Sequence, residues 1–517
     1  MANKKFSEFT LKTDSANVDF LVGYDGTDNV RIAPDNLGGG GASDLNGLSD
    51  VLIDTASEYV GTVPAGLSGN PQNNTTLGIS AGLDLTTGNE NTLIGASAAN
   101  SLTTQTDNVV IGNKALRDST NTSNNDNIII GSEAAGFSSG IISRAVIIGR
   151  SACSSVGSFP NGAVAIGYRV ARSMNSGSES VFIGNNAAST STGSSYNTVA
   201  IGSAALQLGF SQGSVIVGKG AQSGTGNAND TVSIGYQAQP NISAAKGVSI
   251  GYQAGYSQTS GTGNTNVGYE AGKDNTTGVN RTCIGYEAGE NNTGSNNVFL
   301  GYQAGNGPTS GATNSNCIAI GYRAMNIATG SINTAIGYEA GRAATGSSNT
   351  FLGYRSGFAV TSGTDNTILG TSAGFTLTTG SNNTILGRSA DASAVGVSNE
   401  ITLGNSSISA LRCQVQTISA LSDSRDKTNI QPSPYGLDLI SKLQPVTFDW
   451  NMRDGAKVGQ KDLGFIAQEL QEVDDENLQL VYDSNPDRLE ASYGRLIPVL
   501  VQAIKELKAE VELLKNK

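Results

Sequence analysis

The chain has 517 residues and a formal net charge of −12, with 31 basic against 43 acidic side chains. That balance argues against nucleic-acid binding, which needs a basic face for the phosphates. The complete absence of histidine removes Ser-His-Asp triads, Cys-His dyads and His-ligated metals, and neither a metal nor another cofactor is expected.

The composition differs from that of an ordinary globular enzyme, with 67 glycines, 14% charged and 6% aromatic residues. High Gly and Ser content suggests disorder, but β-branched triplets recur at regular spacing, which disorder does not require. Cys153, Cys283, Cys317 and Cys413 are far apart and follow no ligand spacing. They read as free, buried or half-buried thiols, consistent with assembly in a reducing cytoplasm. The N-terminal MANKKFSEFTLKTDSANVDF lacks the apolar run of a signal peptide, and no segment approaches 18 consecutive apolar residues. No membrane insertion is expected.

In chain order, residues 1–36 alternate (Phe9-Thr10-Leu11-Lys12, Phe20-Leu21-Val22) and predict a small β module. Residues 37–73 open with the joint Leu37-Gly38-Gly39-Gly40-Gly41 and continue into SDLNGLSDVLI, which resembles a short segment frequent in phage fibres.

Residues 74–405 are copies of Asn-Thr-x-β-Ile-Gly-x-x-Ala-(Gly), such as NTLIG at Asn91–Gly95 and NTAIG at Asn333–Gly337. The closing glycines run from Gly78 to Gly404 in about 20 coils of about 17 residues each. That period is too short for a helical hairpin or a propeller blade. It suits one coil of a parallel β-solenoid, with two short strands and two tight turns per coil. The triplet supplies a strand whose alternate residues face inward. Glycine at its end fits a turn with φ > 0. Ala98, Ala238 and Ala288 are small enough for the interior, and the recurrent Asn predicts an amide ladder. The Asn-Gly-Ser-Thr runs read as outer turns.

The NTxIGYxAG pattern resembles the head repeats of trimeric autotransporter adhesins and related phage fibre shafts. That resemblance implies three parallel β-rolls side by side, which would bury the apolar edge a thin single coil leaves open. Tyr168, Tyr236, Tyr252, Tyr269, Tyr286, Tyr302, Tyr322, Tyr338 and Tyr354 follow the glycine. This stripe is expected to pack between coils or chains with its hydroxyls in solvent, in preference to stacking on sugars. Glu133, Glu270, Glu287 and Glu339 read as a sparse solvated row.

After a transition at 406–421, Gly and Asn thin out and the only tryptophan, Trp450, appears. Three blocks follow: SDSRDKTNI at Ser422–Ile430, LQPVTFDW at Leu443–Trp450 with GFIAQELQEV at Gly464–Val473, and the terminal SYGRLIPVLVQAIKELKAEVELLK at Ser492–Lys515. They resemble the S74 peptidase family, the intramolecular chaperone of tail spikes and fibres. The resemblance implies a small α+β domain over 422–517 that cuts its own chain between Leu421 and Ser422. Ser422 would be the nucleophile and Lys427 its base, with Asp423 and Arg425 as supporting residues. Ser422 and Lys427 are five apart, so a bend must bring them together. Ile497, Leu500, Ile504, Leu507, Val511 and Leu514 alternate by three and four, a heptad seam that predicts a trimeric coiled coil.

The expected protein is therefore mainly β, a trimeric β-solenoid shaft ending in a chaperone domain. The resemblance implies a phage tail fibre, assembled in the host cytoplasm and carried on the virion. The fibre would attach to the tail or baseplate through its N-terminus and bind a host surface receptor, a glycan or an outer-membrane component. A trimeric bacterial surface adhesin would need a secretion signal and a membrane barrel. A glycan-degrading spike would need an insertion to build a cleft, and the uniform coils show none.

Overall fold

The computed structural model describes residues 21–24, 29–32 and 51–517, apart from 55–56, 69–70, 120, 138–139, 157–161, 175–177, 192, 228, 244–245, 309–311, 415–420, 454 and 456. Of the expected N-terminal module, the described part is an antiparallel hairpin of Leu21–Tyr24 with Asn29–Ile32. The joint at Leu37–Gly41 lies outside the described residues. The chain forms two units, Met1–Asn296 and Asn297–Lys517.

In the first unit an in-register parallel ladder runs from Ser57–Gly61 through Thr75–Gly78 and Thr92–Ile94 to Thr282–Ile284. In the second the same ladder runs from Val298–Leu300 to Ile401–Leu403. From Thr92–Ile94 onward the strands are three residues long because only the triplet is extended, and its middle residue is the one that faces inward. Leu93, Val110, Ile129 and Ile147 fill the interior of the first unit, and Phe299, Phe351, Ile368 and Ile385 that of the second. Alanines such as Ala98 and Ala340 line the opposite wall.

Among the described residues, the second strand expected in each coil is absent. In its place lies a run of turns in which two residues, two apart, adopt left-handed backbone, as at Ser97 (φ 55°) and Ala99 (φ 49°). These turns still bond coil to coil, for example Ala99 N–H to the Ala115 carbonyl at 2.8 Å. The optional Gly of the motif occupies the second left-handed position, as at Gly357 (φ 59°). At several coils this leaves room for a large strand centre six residues earlier. A Cβ on Gly357 would collide with the Phe351 ring, whereas the small Ala319 is paired with Met325. The triplet glycine has a different reason. Gly353 has φ +134°, and a Cβ there would sit 2.6 Å from the Gly370 carbonyl oxygen of the next coil.

Asparagines immediately before the triplets form the predicted ladder. Asn91, Asn108 and Asn127 each donate Nδ2–H to the Oδ1 one coil back, at 3.0, 3.1 and 3.0 Å. Asn366 and Asn383 do the same at 3.1 Å. Each Oδ1 also accepts the next coil's backbone N–H, so both amide groups are satisfied in a buried column. At some coils that depart from Asn a hydroxyl substitutes, as when Ser214 Oγ accepts Thr231 N–H at 3.0 Å, whereas Ala145, Ala163 and Gly247 interrupt the side-chain column. Arg281 occupies the same column at 1% exposure. Its Nη2 reaches the Gly289 carbonyl at 3.0 Å, but Nε and Nη1 have no hydrogen-bond partner among the described residues.

The C-terminal region of the second unit has a small separate core of Leu439, Leu470, Leu478, Leu480, Leu496 and Val499. It gathers α1 (Leu437–Ile440), α2 (Ala467–Gln471), α3 (Leu496–Lys515) and the hairpin of Val481–Tyr482 with Glu490–Ala491, and the region also holds a hairpin of Val446–Asp449 with Lys461–Gly464.

Candidate functional site

At the start of the C-terminal region, Ser424–Asp426 forms a single 3₁₀ turn. Asp423 caps it by accepting Arg425 N–H at 2.9 Å, and the Arg425 guanidinium folds back onto the same carboxylate, at 2.6 Å from Nη2. This ion pair and backbone bond hold the Asp423 carboxyl below the usual range. The turn reverses the chain so that Lys427 Nζ donates to Ser422 Oγ at 2.5 Å and lies 3.4 Å from the Ser422 carbonyl. Asp426 lies inside the turn rather than on an extended strand. Ser422 and Lys427 are both exposed, and Leu421 is 99% exposed.

α3 has two apolar faces. Leu496, Val499 and Ala503 are buried against the domain. Glu506 fixes the helix from the same side, accepting Leu437 N–H at 2.7 Å and Gln502 Nε2–H at 2.8 Å. The backbone bond from Leu437 is the main cause that holds the Glu506 carboxyl below its ordinary value. The heptad residues Ile497, Leu500, Ile504, Leu507, Val511 and Leu514 lie on the other side, all exposed, with Ile504 at 66%.

Along the ladders the outer positions of the triplets are also apolar. Val, Ile or Thr stands first and Ile, Leu or Val third, and residues such as Ile128, Ile284, Leu352 and Leu369 are exposed. A parallel sheet ordinarily has both faces covered. The tyrosines form two stacks within the chain. Tyr236, Tyr252, Tyr269 and Tyr286 have successive centroids 5.3, 5.0 and 4.9 Å apart, and Tyr302, Tyr322, Tyr338 and Tyr354 follow at 5.1, 4.9 and 5.1 Å. Arg323 and Arg355 lie against rings of the second stack.

The glutamate row is not simply solvated. Glu133, Glu270 and Glu287 are half-buried, and Glu339 is 6% exposed and paired with Arg355 Nε at 2.8 Å. Their left-handed backbone, as at Glu339 (φ 51°), accompanies contacts with the neighbouring coil. Glu270, Glu287 and Glu290 bring carboxylate oxygens within 4.8 Å of one another, but Lys273 stands among them, 2.9 Å from Glu270 and 3.7 Å from Glu290. Cys153, Cys283 and Cys317 are buried free thiols, whereas Cys413 is exposed because it lies beyond the last coil. Among the described residues no helix is long and apolar enough to cross a membrane.

One contact was not foreseen from the sequence. The final coil and the hairpin at Val481–Ala491 touch through Glu400, Ser393, Tyr482 and Asn485. The signal was Glu400 itself, a carboxylate in the asparagine column.

A parallel β-solenoid thus leads into a small α/β region whose first residues form a Ser-Lys contact. Residues 422–479 match the Peptidase_S74 family model, described as the chaperone of endosialidase. Long tail fiber protein Gp37 of Enterobacteria phage K3 is 35% identical over 97 residues, 19% of this chain and 8% of the relative. Gp37 of Enterobacteria phage T2 is likewise 35% identical over 97 residues, 7% of its length. Each match spans less than a tenth of the relative. Coils, terminal domain and relatives together fit a phage tail fibre that carries an S74 domain.

Proposed function

We propose that the chain is a homotrimeric phage tail-fibre subunit, joined to the tail or baseplate through its N-terminal region and to a host surface receptor elsewhere. Its C-terminal domain is an intramolecular chaperone that cuts the chain between Leu421 and Ser422. The relatives support the fibre reading, and two uncovered apolar surfaces support the trimer. The outer triplet positions offer a lengthwise face for two further copies, and the α3 seam offers a clasp that sets their register. Parallel pairing between chains is slow and exposes strand edges, so a clasp that nucleates it has a clear use.

The 2.5 Å contact between Lys427 Nζ and Ser422 Oγ carries the cleavage reading. Ser422 Oγ attacks the Leu421 carbonyl carbon and its proton passes to neutral Lys427. The C–N bond then breaks, with the proton delivered to the Ser422 amine, and Leu421 is left as an ester on Oγ. Water hydrolyses the ester, which frees the Leu421 carboxylate and restores the hydroxyl. A lysine is a base only where its surroundings favour the neutral form. Lys427 is exposed in the single chain, so this reading couples cutting to the cover supplied by assembly.

Denaturing electrophoresis and mass analysis test the cut. The parent chain should yield a fragment of residues 422–517 that is absent from Ser422→Ala. Full-length chain in both would overturn it. Light scattering tests the trimer. Ile504→Lys should lower the oligomeric mass while leaving the single-chain fold intact, and a monomeric parent would sink the assembly.

A further inference from the structure

The asparagine column ends in an exception. Asn349, Asn366 and Asn383 pass hydrogen bonds from coil to coil, and the next residue in the column is Glu400, whose N–H donates to Asn383 Oδ1 at 2.9 Å. An asparagine there would still donate through its amide. A carboxylate only accepts, so Glu400 ends the column and gathers donors around it. Glu400 Oε1 accepts Ser393 N–H at 2.9 Å and Thr402 Oγ–H at 2.8 Å. Oε2 accepts Ser393 Oγ–H at 2.6 Å and, from 82 residues further along the chain, Tyr482 O–H at 2.9 Å.

A second bond stands beside it. Asn485 Nδ2–H donates to the Ser393 carbonyl at 2.9 Å. The loop that bears both donors is pre-shaped. The Val481–Tyr482 and Glu490–Ala491 strands pair at its base, and Asn485 Oδ1 accepts Asp487 N–H at 3.0 Å within it. Arg488 on the same loop exerts a favourable charge interaction on Asp391, a carboxyl of the last coil that burial pushes above its ordinary value. A cavity of about 540 Å³ lies at the junction, lined by Ala394, Gly396, Val397 and Ser398 of the coil and Tyr482 and Ser484 of the loop.

We propose that the last coil is a socket for the 482–488 loop of the C-terminal domain, so that the domain stays seated on the shaft end without relying on the covalent link. Two acceptors on the coil, Glu400 Oε2 and the Ser393 carbonyl, meet two donors on the loop. The chain segment at Leu421 contributes neither. Under the proposed self-cleavage, on which this consequence rests, a cut before Ser422 leaves these bonds in place, and release requires a second event that breaks the socket.

Two measurements on the full chain separate the ideas. The first uses Ser422→Ala, which stays whole whether or not the parent cuts itself. Amide hydrogen exchange at 393–403 should rise about tenfold or more when Tyr482→Phe and Asn485→Ala are added, as expected for roughly two lost hydrogen bonds. Unchanged exchange would overturn the socket, whatever the fate of the junction. The second applies to cut parent protein, where the 422–517 fragment should co-elute with the shaft on native size exclusion and separate from it in the double variant. A parent fragment that elutes alone, or a double-variant fragment still held, would overturn the retention.

Discussion

Most coils of the shaft meet their neighbours through the same three devices: a buried strand centre, a glycine whose bare backbone touches the next coil, and a polar column residue that passes hydrogen bonds along the axis. The C-terminal domain repeats nothing. Its core is one cluster of leucines and a valine, and much of its remaining apolar surface, including the α3 seam, faces outward. In the shaft stability is a sum of like interfaces, so the same error is costly in almost any coil. In the domain single contacts matter individually, and the exposed surfaces are left for other chains.

A pair of glycines breaks this contrast most sharply. Gly353→Val forces a β-branched side chain onto φ +134° and into the Gly370 carbonyl. It should cost about 4 kcal/mol or more and open the shaft locally to protease. Gly494, in the domain, has open space for 4 Å around the place a Cβ would take, and Gly494→Ala should shift thermal stability by less than about 0.5 kcal/mol. Equal losses would refute the idea that glycines carry coil contact.

A smaller effect runs in the opposite direction. Arg281→Asn replaces a buried, incompletely bonded guanidinium with the residue the column uses elsewhere. It should stabilise the shaft by about 1–3 kcal/mol in denaturant titration. A loss would mean that Arg281 has a partner the coil interior does not supply.

The smallest effect is on the domain's pH response. The folded-state Glu506 carboxyl lies below its ordinary value, so its contribution is present above the unfolded carboxylate pKa of about 4.3 and fades as pH falls through the folded value. Trp450, the only tryptophan, reports on the domain alone. Its thermal transition should move down on acidification below about pH 4, and Glu506→Gln should flatten that shift. A parent transition as flat as the variant's would remove Glu506 from the account.

Much of the shaft was legible because its causes are local and repeated. The triplet, the glycine and the asparagine each recur at one place per coil, and any one coil explains the others. The coil at Ser57–Gly61 was missed because Glu58-Tyr59-Val60 lacks the Asn-Thr opening, although Ser57 Oγ accepts Asn74 N–H at 3.0 Å just as an asparagine would. The turn wall was misread as strand because left-handed backbone at alanine or leucine, as at Ala99 and Leu116, is something neighbouring coils impose and propensity does not announce. At the junction the spacing of Ser422 and Lys427 called for a bend, and the 3₁₀ turn capped by Asp423 is that bend. The Glu400 socket was invisible because it depends on residues 82 and 92 positions away.

The in-register columns also make the shaft a ruler. Within each unit every coil advances the chain by about one strand spacing, near 4.8 Å, and presents its neighbour with a triplet and closing glycine in the same register. Duplication or loss of a whole coil therefore changes reach by a fixed step and leaves every remaining joint intact. Loss of a single residue inside a triplet would flip inward side chains outward. Lineages that vary this segment should differ by complete graduations.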